Sequence, residues 1–272
     1  MGSSGVSVVM ILLAMWGLWI FGSCKKSPVP PETPPPYRVF QAPNQDIKPE
    51  TAEWPRPRSQ EREAERRQMV EYIRRAYDLD DAKVLEAMQN VPRHWFVPES
   101  QQPLAYADMP LPIGYDQTIS QPFIVAYMTS LLGLTPEKKV LEVGTGSGYQ
   151  AAVLAELTPY VYSIEIVEPL GRSAREKLKQ FGYETIQVKI GDGYKGWQEH
   201  QPFDAMIVTC APDHVAQPLL DQLKPGGCLV IPVGENSRVQ NLVRIRKDQA
   251  GLISRESLLP VRFVPLVREP TP

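Results

Sequence analysis

The residues best placed to do chemistry are Gly144, Gly146 and Gly148, spaced two apart behind the apolar run Val140–Val143. That run reads as a buried strand, and Ser147–Leu157 carries the apolar spacing of a helix. A turn without β-carbons between them lets a polar ligand approach the backbone, and the helix start offers it free amides. Two acids extend the pattern. Glu165 closes a second predicted strand, Tyr160–Ile166, 21 residues after Gly144. A doubly wound sheet places a carboxylate there to accept ribose hydroxyls. Asp192, flanked by Gly191 and Gly193, closes a third strand, Thr185–Ile190. The glycine spacing is not that of a dinucleotide fold, whose third glycine would fall at Tyr149.

The elements that must hold these groups follow from periodicity. Ser59 is a plausible cap for a first helix with Glu61 and Glu63 in its first turn and Met69, Ile73 and Ala76 on its inner face. A second helix, Asp80–Asn90, turns Val84, Leu85 and Met88 inward. After the glycine turn come a helix over Glu168–Phe181, a strand over Ala205–Thr209 and a helix over His214–Leu223. Lys224–Gly227 then turns the chain into a strand at Cys228–Val233. Val239–Arg246 and Val261–Val267 alternate as the last, antiparallel strands. The fold class is α/β: a Rossmann-like doubly wound, mostly parallel sheet in a three-layer sandwich, preceded by helices.

Bulk properties narrow the partners. The formal net charge of −2 and the absence of a basic patch with interleaved aromatics argue against nucleic acid. The arginines of Arg56–Arg75 alternate with glutamates and read as a solvated helix face. Cys24, Cys210 and Cys228 are too scattered for a disulfide framework, and the latter two sit in apolar runs as inert thiols. His94, His200 and His214 share no metal-ligand spacing, so no metal is expected. Residues 1–26 form a hydrophobic signal or anchor segment, with Val6–Phe21 free of charge. Lys25 and Lys26 behind it favour a cytoplasmic domain with a membrane tether. Phe21–Cys24 instead resembles a lipobox, which would make the chain an exported lipoprotein anchored at Cys24. Residues 27–58 hold ten of the 28 prolines and read as a disordered linker, leaving 59–272 as the folded domain.

Val140–Tyr149 resembles the first motif of S-adenosylmethionine-dependent methyltransferases. Val91–Pro98, Leu111–Gly114, Gln117–Pro122, Gly191–Tyr194 and Arg262–Leu266 are similar to segments of one such family, protein-L-isoaspartate O-methyltransferase, in its order and approximate spacing. The resemblance implies a class I methyltransferase fold with S-adenosyl-L-methionine held by Thr118, Glu142, Gly144, Thr145, Gly146, Gly148, Glu165, Asp192 and Gly193. It implies Ser120 as the catalytic residue, with Ile119, Ser120, Arg262 and Val264 binding substrate. The substrate would be the α-carboxylate exposed when Asp or Asn rearranges to isoaspartate in proteins and peptides. Its methyl ester closes to a succinimide that reopens partly to aspartate. A monomeric cytoplasmic enzyme is the family expectation. One departure stands out: the family usually carries glycine between Gly114 and Gln117, where this chain has Tyr115 and Asp116.

The chemistry suits the residues. A carboxylate is ionised at neutral pH and needs no strong base, so positioning and desolvation must do the work. A hydroxyl bonded to its spectator oxygen would hold it, and Ser120 has no evident activating base of its own. Ser120 could also be an N-cap before Gln121-Pro122, a role that does not exclude the catalytic one. Methylation of another substrate, or a non-catalytic membrane-tethered binding protein, are the alternative functions.

Overall fold

The computed structural model describes residues 54–235 and 239–268; residues 1–26, read as a signal or anchor segment, and most of the proline-rich stretch lie outside them. The first helix, α1, spans Glu63–Tyr77, with Glu63 and Glu65 in its first turn and Arg74 and Arg75 in its last, each complementing the helix dipole. It starts four residues after Ser59, whose Oγ accepts the Glu61 amide in the preceding turn. Met69 and Ile73 are buried as expected, whereas Ala76 faces solvent. The arginine face holds a second correction. Arg66 is 2 % exposed, and its guanidinium reaches the carbonyls of Asn90 and Ser59. Helix α2, Ala82–Asn90, begins at Asp81, whose side chain accepts the Val84 amide.

A small antiparallel hairpin follows, β1 (Leu111–Gly114) and β2 (Gln117–Ile119). Its turn places Tyr115 and Asp116 at φ 52° and 56° beside Gly114 at 93°, backbone that glycine adopts without strain. Helix α3, Pro122–Ser130, starts with proline in its first turn. Gln121, not Ser120, is its N-cap residue, and the capping side chain comes from afar: Asp108 Oδ1 accepts the Phe123 amide at 2.9 Å.

The main sheet contains β3 (Val140–Val143), β4 (Val161–Glu165), β5 (Gln187–Ile190), β6 (Phe203–Val208), β7 (Leu223–Val233), β8 (Gln240–Lys247) and β9 (Ile253–Val261). Their order is β5-β4-β3-β6-β7-β8-β9. The first five run parallel, and β8 and β9 join antiparallel. Period-2 alternation sorts the side chains. Val140, Val161, Ala205 and Val230 pack with α1–α3 and with α4 (Tyr149–Ala155). Leu141, Tyr162, Met206 and Leu229 face the other way, with α6 (Gln217–Gln222). Helix α5, Glu168–Gln180, covers β4 and β5.

Three boundaries differ from the sequence reading. Strand β7 begins at Leu223 and carries Lys224–Gly227 within it, through a register shift against β6. Helix α6 is shorter than His214–Leu223. The last strand is Ile253–Val261, and Val261–Val267 is irregular beyond its first residue except for a bridge between Ala211 and Pro265. The supposed linker also ends early. Trp54 Nε1 donates to the Ala155 carbonyl at 2.6 Å, and Arg56 and Arg58 reach the carbonyl and side chain of Glu156, so residues 54–58 lie against the end of α4.

Candidate active site

Strand order reverses between β3 and β6, because the chain leaves β3 towards β4 and β5 and returns on the other side. Adjacent strand ends then diverge into a crevice, the place where open α/β sheets bind ligands. A cavity occupies it. Its floor is Val143–Ser147 beyond β3, its sides are Ile164–Val167 after β4, Gly193 after β5 and Thr209 with Cys210 after β6. Gln117–Ser120 from the hairpin and Val264–Val267 from the irregular tail close it. The alternation read as a strand at Val261–Val267 is the signature of this wall, where the Val264 carbonyl and Leu266 amide pair with Ala211.

Glycine is required at two points. A β-carbon on Gly144 (φ 103°) would lie 2.5 Å from Thr209 Oγ1, and one on Gly193 would lie 2.3 Å from Val143 Cγ1. Gly146 (φ 51°) turns its amide onto Glu165 Oε2 at 2.7 Å, while Oε1 accepts the Val167 amide at 2.8 Å. Burial pushes the Glu165 carboxyl up, and those amides counter it. A carboxylate has room for about four donors, so each oxygen retains a lone pair for a sugar hydroxyl. Glu165 is the sole charged residue bordering the cavity among the described residues. A buried anion facing apolar Ile164, Ile166 and Val264 suits a cationic nucleoside. Burial raises the Cys210 thiol far above its ordinary value, which makes it an inert part of the wall.

The cavity brings together Thr118, Ile119, Ser120, Gly144, Thr145, Gly146, Glu165, Gly193 and Val264 from among the expected residues. Four others stand elsewhere. Glu142 is fully buried beneath the floor, its Oε2 2.5 Å from Ser163 Oγ. Gly148 opens α4 at φ 90° and packs against Leu178. Asp192 does not border the cavity, and its Oδ1 accepts the Tyr194 amide at 2.9 Å. Arg262 is exposed and outside the lining. Conversely, Gln117, Ser147, Gln150 and Thr209 border the cavity without having been singled out as ligand contacts. Gln117 and Ser147 belong to motifs that could have flagged them. Gln150 is fixed by Thr129 Oγ1 at 2.9 Å, a contact between helices that no local motif announces.

Fold, switch-point cavity, glycine floor and a buried acid at the end of β4 define a class I methyltransferase that uses S-adenosyl-L-methionine. Comparisons with known proteins carry this to the family. Residues 64–271 match the family model Protein-L-isoaspartate(D-aspartate) O-methyltransferase (PCMT), and the chain belongs to that family. It is 56 % identical over 186 residues to protein-L-isoaspartate O-methyltransferase 2 of Polaromonas sp., covering 68 % of this chain and 88 % of that one. It is also 56 % identical over 201 residues to the protein-L-isoaspartate O-methyltransferase of Picosynechococcus sp., covering 74 % and 89 %. Among solved structures it resembles a Plasmodium falciparum protein described as a protein-L-isoaspartate O-methyltransferase, crystallised with S-adenosyl-L-homocysteine. There the TM-score is 0.67 at 27 % identity, over 75 % of this chain and 99 % of that one.

Proposed function

We propose that this enzyme methylates the α-carboxylate of L-isoaspartyl residues in damaged proteins and peptides, the first step of their repair. One observation carries the assignment: the Thr118–Ser120 loop borders the same cavity as the glycine floor and Glu165. When bound, S-adenosyl-L-methionine supplies an electrophilic methyl on a sulfonium centre. Glu165 would bind the sugar and offset the sulfonium charge, and Ile164, Ile166 and Val264 would exclude water around the nucleoside. Ser120 would donate a hydrogen bond to the substrate oxygen that does not attack and so orient the other. No histidine, lysine or arginine borders the cavity among the described residues, in keeping with a nucleophile that arrives ionised.

Family resemblance favours a monomer, and Lys25 and Lys26 favour a domain facing the cytoplasm, where the cofactor is made, with residues 1–26 as a membrane tether; the near-balanced charge favours no role in nucleic-acid binding. Protease accessibility around Pro34 in intact cells against spheroplasts tests the orientation. The activity itself is tested by transfer of a radiolabelled methyl group to matched isoaspartyl and aspartyl peptides. Labelling of the isoaspartyl peptide alone is expected. Labelling of neither, with the cofactor still bound, would assign the site to another acceptor.

A further inference from the structure

Glu142 is 0 % exposed in the middle of the sheet, where a carboxylate without a cation is among the costliest groups to bury. It pairs in register with Ser163 across β3 and β4, so both side chains project from the same face. Ser163 Oγ lies 2.5 Å from Glu142 Oε2 and 2.5 Å from Thr145 Oγ1. Three oxygens thus form a buried line ending in a residue that borders the cavity. Glu142 Oε1 has no hydrogen-bond partner, and Thr145 Oγ1 has none besides Ser163 among the described residues.

We propose that Glu142 is a positioning residue for the cofactor: kept protonated, it orients the Ser163 and Thr145 hydroxyls so that Thr145 donates a hydrogen bond into the cavity. Once Glu142 carries a proton, the direction of the chain follows. A proton on Oε1 would be a buried donor with nothing to accept it, whereas an unpaired carbonyl oxygen is tolerated more easily. The proton therefore sits on Oε2 and is donated to Ser163 Oγ. Ser163 donates in turn to Thr145 Oγ1, whose own proton has no other acceptor among the described residues, in a residue that borders the cavity. Ionised Glu142 would accept from Ser163, Ser163 from Thr145, and Thr145 would present a lone pair instead. One proton, three residues from the ligand, sets whether the wall donates or accepts.

Other groups act in the same sense. Burial pushes the Glu142 carboxyl up to about 8, and the nearby Glu165 carboxylate adds to the rise while the Ser163 bond opposes it. Cys210, beyond β6, is the other titratable neighbour, and its thiol stays neutral. Binding that requires the proton is at full strength below the pKa of the free protein and weakens as pH rises through it.

This inference rests on the cofactor reading of the cavity, and calorimetry with S-adenosylhomocysteine separates the two. Affinity should hold up to about pH 7.5 and fall about fivefold by about pH 9.5, the loss of one hydrogen bond. In Glu142→Gln, which keeps a neutral donor of the same shape, the profile should be flat after correction for the ligand's own amine. An equal fall in wild type and variant, or no fall in wild type, would overturn the inference while leaving the cofactor site intact. No binding at any pH would overturn both. Should the variant fail to fold, wild-type protein labelled with ¹³C at the glutamate carboxyls decides the matter. The Glu142 carboxyl of the bound complex should resonate as an acid at about pH 7, and a carboxylate signal there would refute the proposal.

Discussion

At the scale of single residues, the site is unusual for what it does without. Among the described residues, Ser120 borders the cavity with no histidine or second acid there to activate it. In the proposed mechanism its task is to hold, and Ser120→Ala should leave the fold and S-adenosylhomocysteine affinity in place. Methyl transfer to an isoaspartyl peptide should drop at least about tenfold, the range of a charge-assisted hydrogen bond, and an unchanged rate would remove Ser120 from the mechanism. Glu165→Gln should act oppositely. It removes the anion that accepts the Gly146 and Val167 amides and faces the ligand, so cofactor affinity should fall about tenfold or more, measured by calorimetry. Residue-scale reading was strongest for backbone demands: Gly144 and Gly193 stand where a β-carbon would collide with Thr209 and Val143. It was weakest for side chains buried by partners far along the chain. Arg66 looked like part of a solvated stripe because its acceptors, the carbonyls of Ser59 and Asn90, leave no mark on local charge pattern. Glu142 looked like a ligand contact because its motif sits at the cavity floor, yet strand alternation turns it beneath that floor.

Among elements, the loop that carries Ser120 is held from behind by one carboxylate. Asp108 Oδ1 caps α3 at the Phe123 amide, and Oδ2 accepts from Tyr77 Oη at 2.7 Å and Gln121 Nε2 at 2.8 Å. Tyr77 in turn stacks on Phe123 with ring centroids 3.7 Å apart. Asp108→Asn keeps the capping oxygen but sets an amide against the Gln121 amide. Turnover should fall several-fold while the melting temperature moves little; Asp108→Ala should also lose about 1 kcal/mol of stability as the cap disappears. Thermal melts alongside kcat and KM for the two variants check the split. The elements themselves were mostly legible: the parallel core strands and α2 and α5 announce themselves by alternation, caps and proline at the helix start. The final strand was not. Ile253–Val261 lies at the sheet edge with most side chains exposed, so it lacks an apolar period, whereas the cavity wall at Val264–Leu266 imitates one.

For the molecule as a whole, chain order and spatial order meet at the carboxyl ends of β3 and β6, and everything chemical gathers there. Residues 54–58 attach elsewhere, to the carboxyl end of α4, whose opposite end opens from the glycine loop. Trp54→Ala removes the 2.6 Å bond to the Ala155 carbonyl. It should lower the melting temperature by about 2–4 °C, corresponding to about 1 kcal/mol, and leave S-adenosylhomocysteine affinity within error. A large loss of affinity would mean that α4 transmits strain to the loop. The sequence placed the domain's edge at Ser59 because prolines and the lack of an apolar period mark residues before it; a docked tryptophan within such a stretch is invisible without its partner.

The grip of Glu165 on both Gly146 and Val167 has a kinetic side. Two loops that border the cavity proposed for the nucleoside are already stapled together before any guest arrives, so capture demands little fresh ordering of the chain. Recognition of this kind is quick and resembles a key meeting a cut lock, and turnover should be paced by events at the protein client rather than by assembly of the nucleoside's berth.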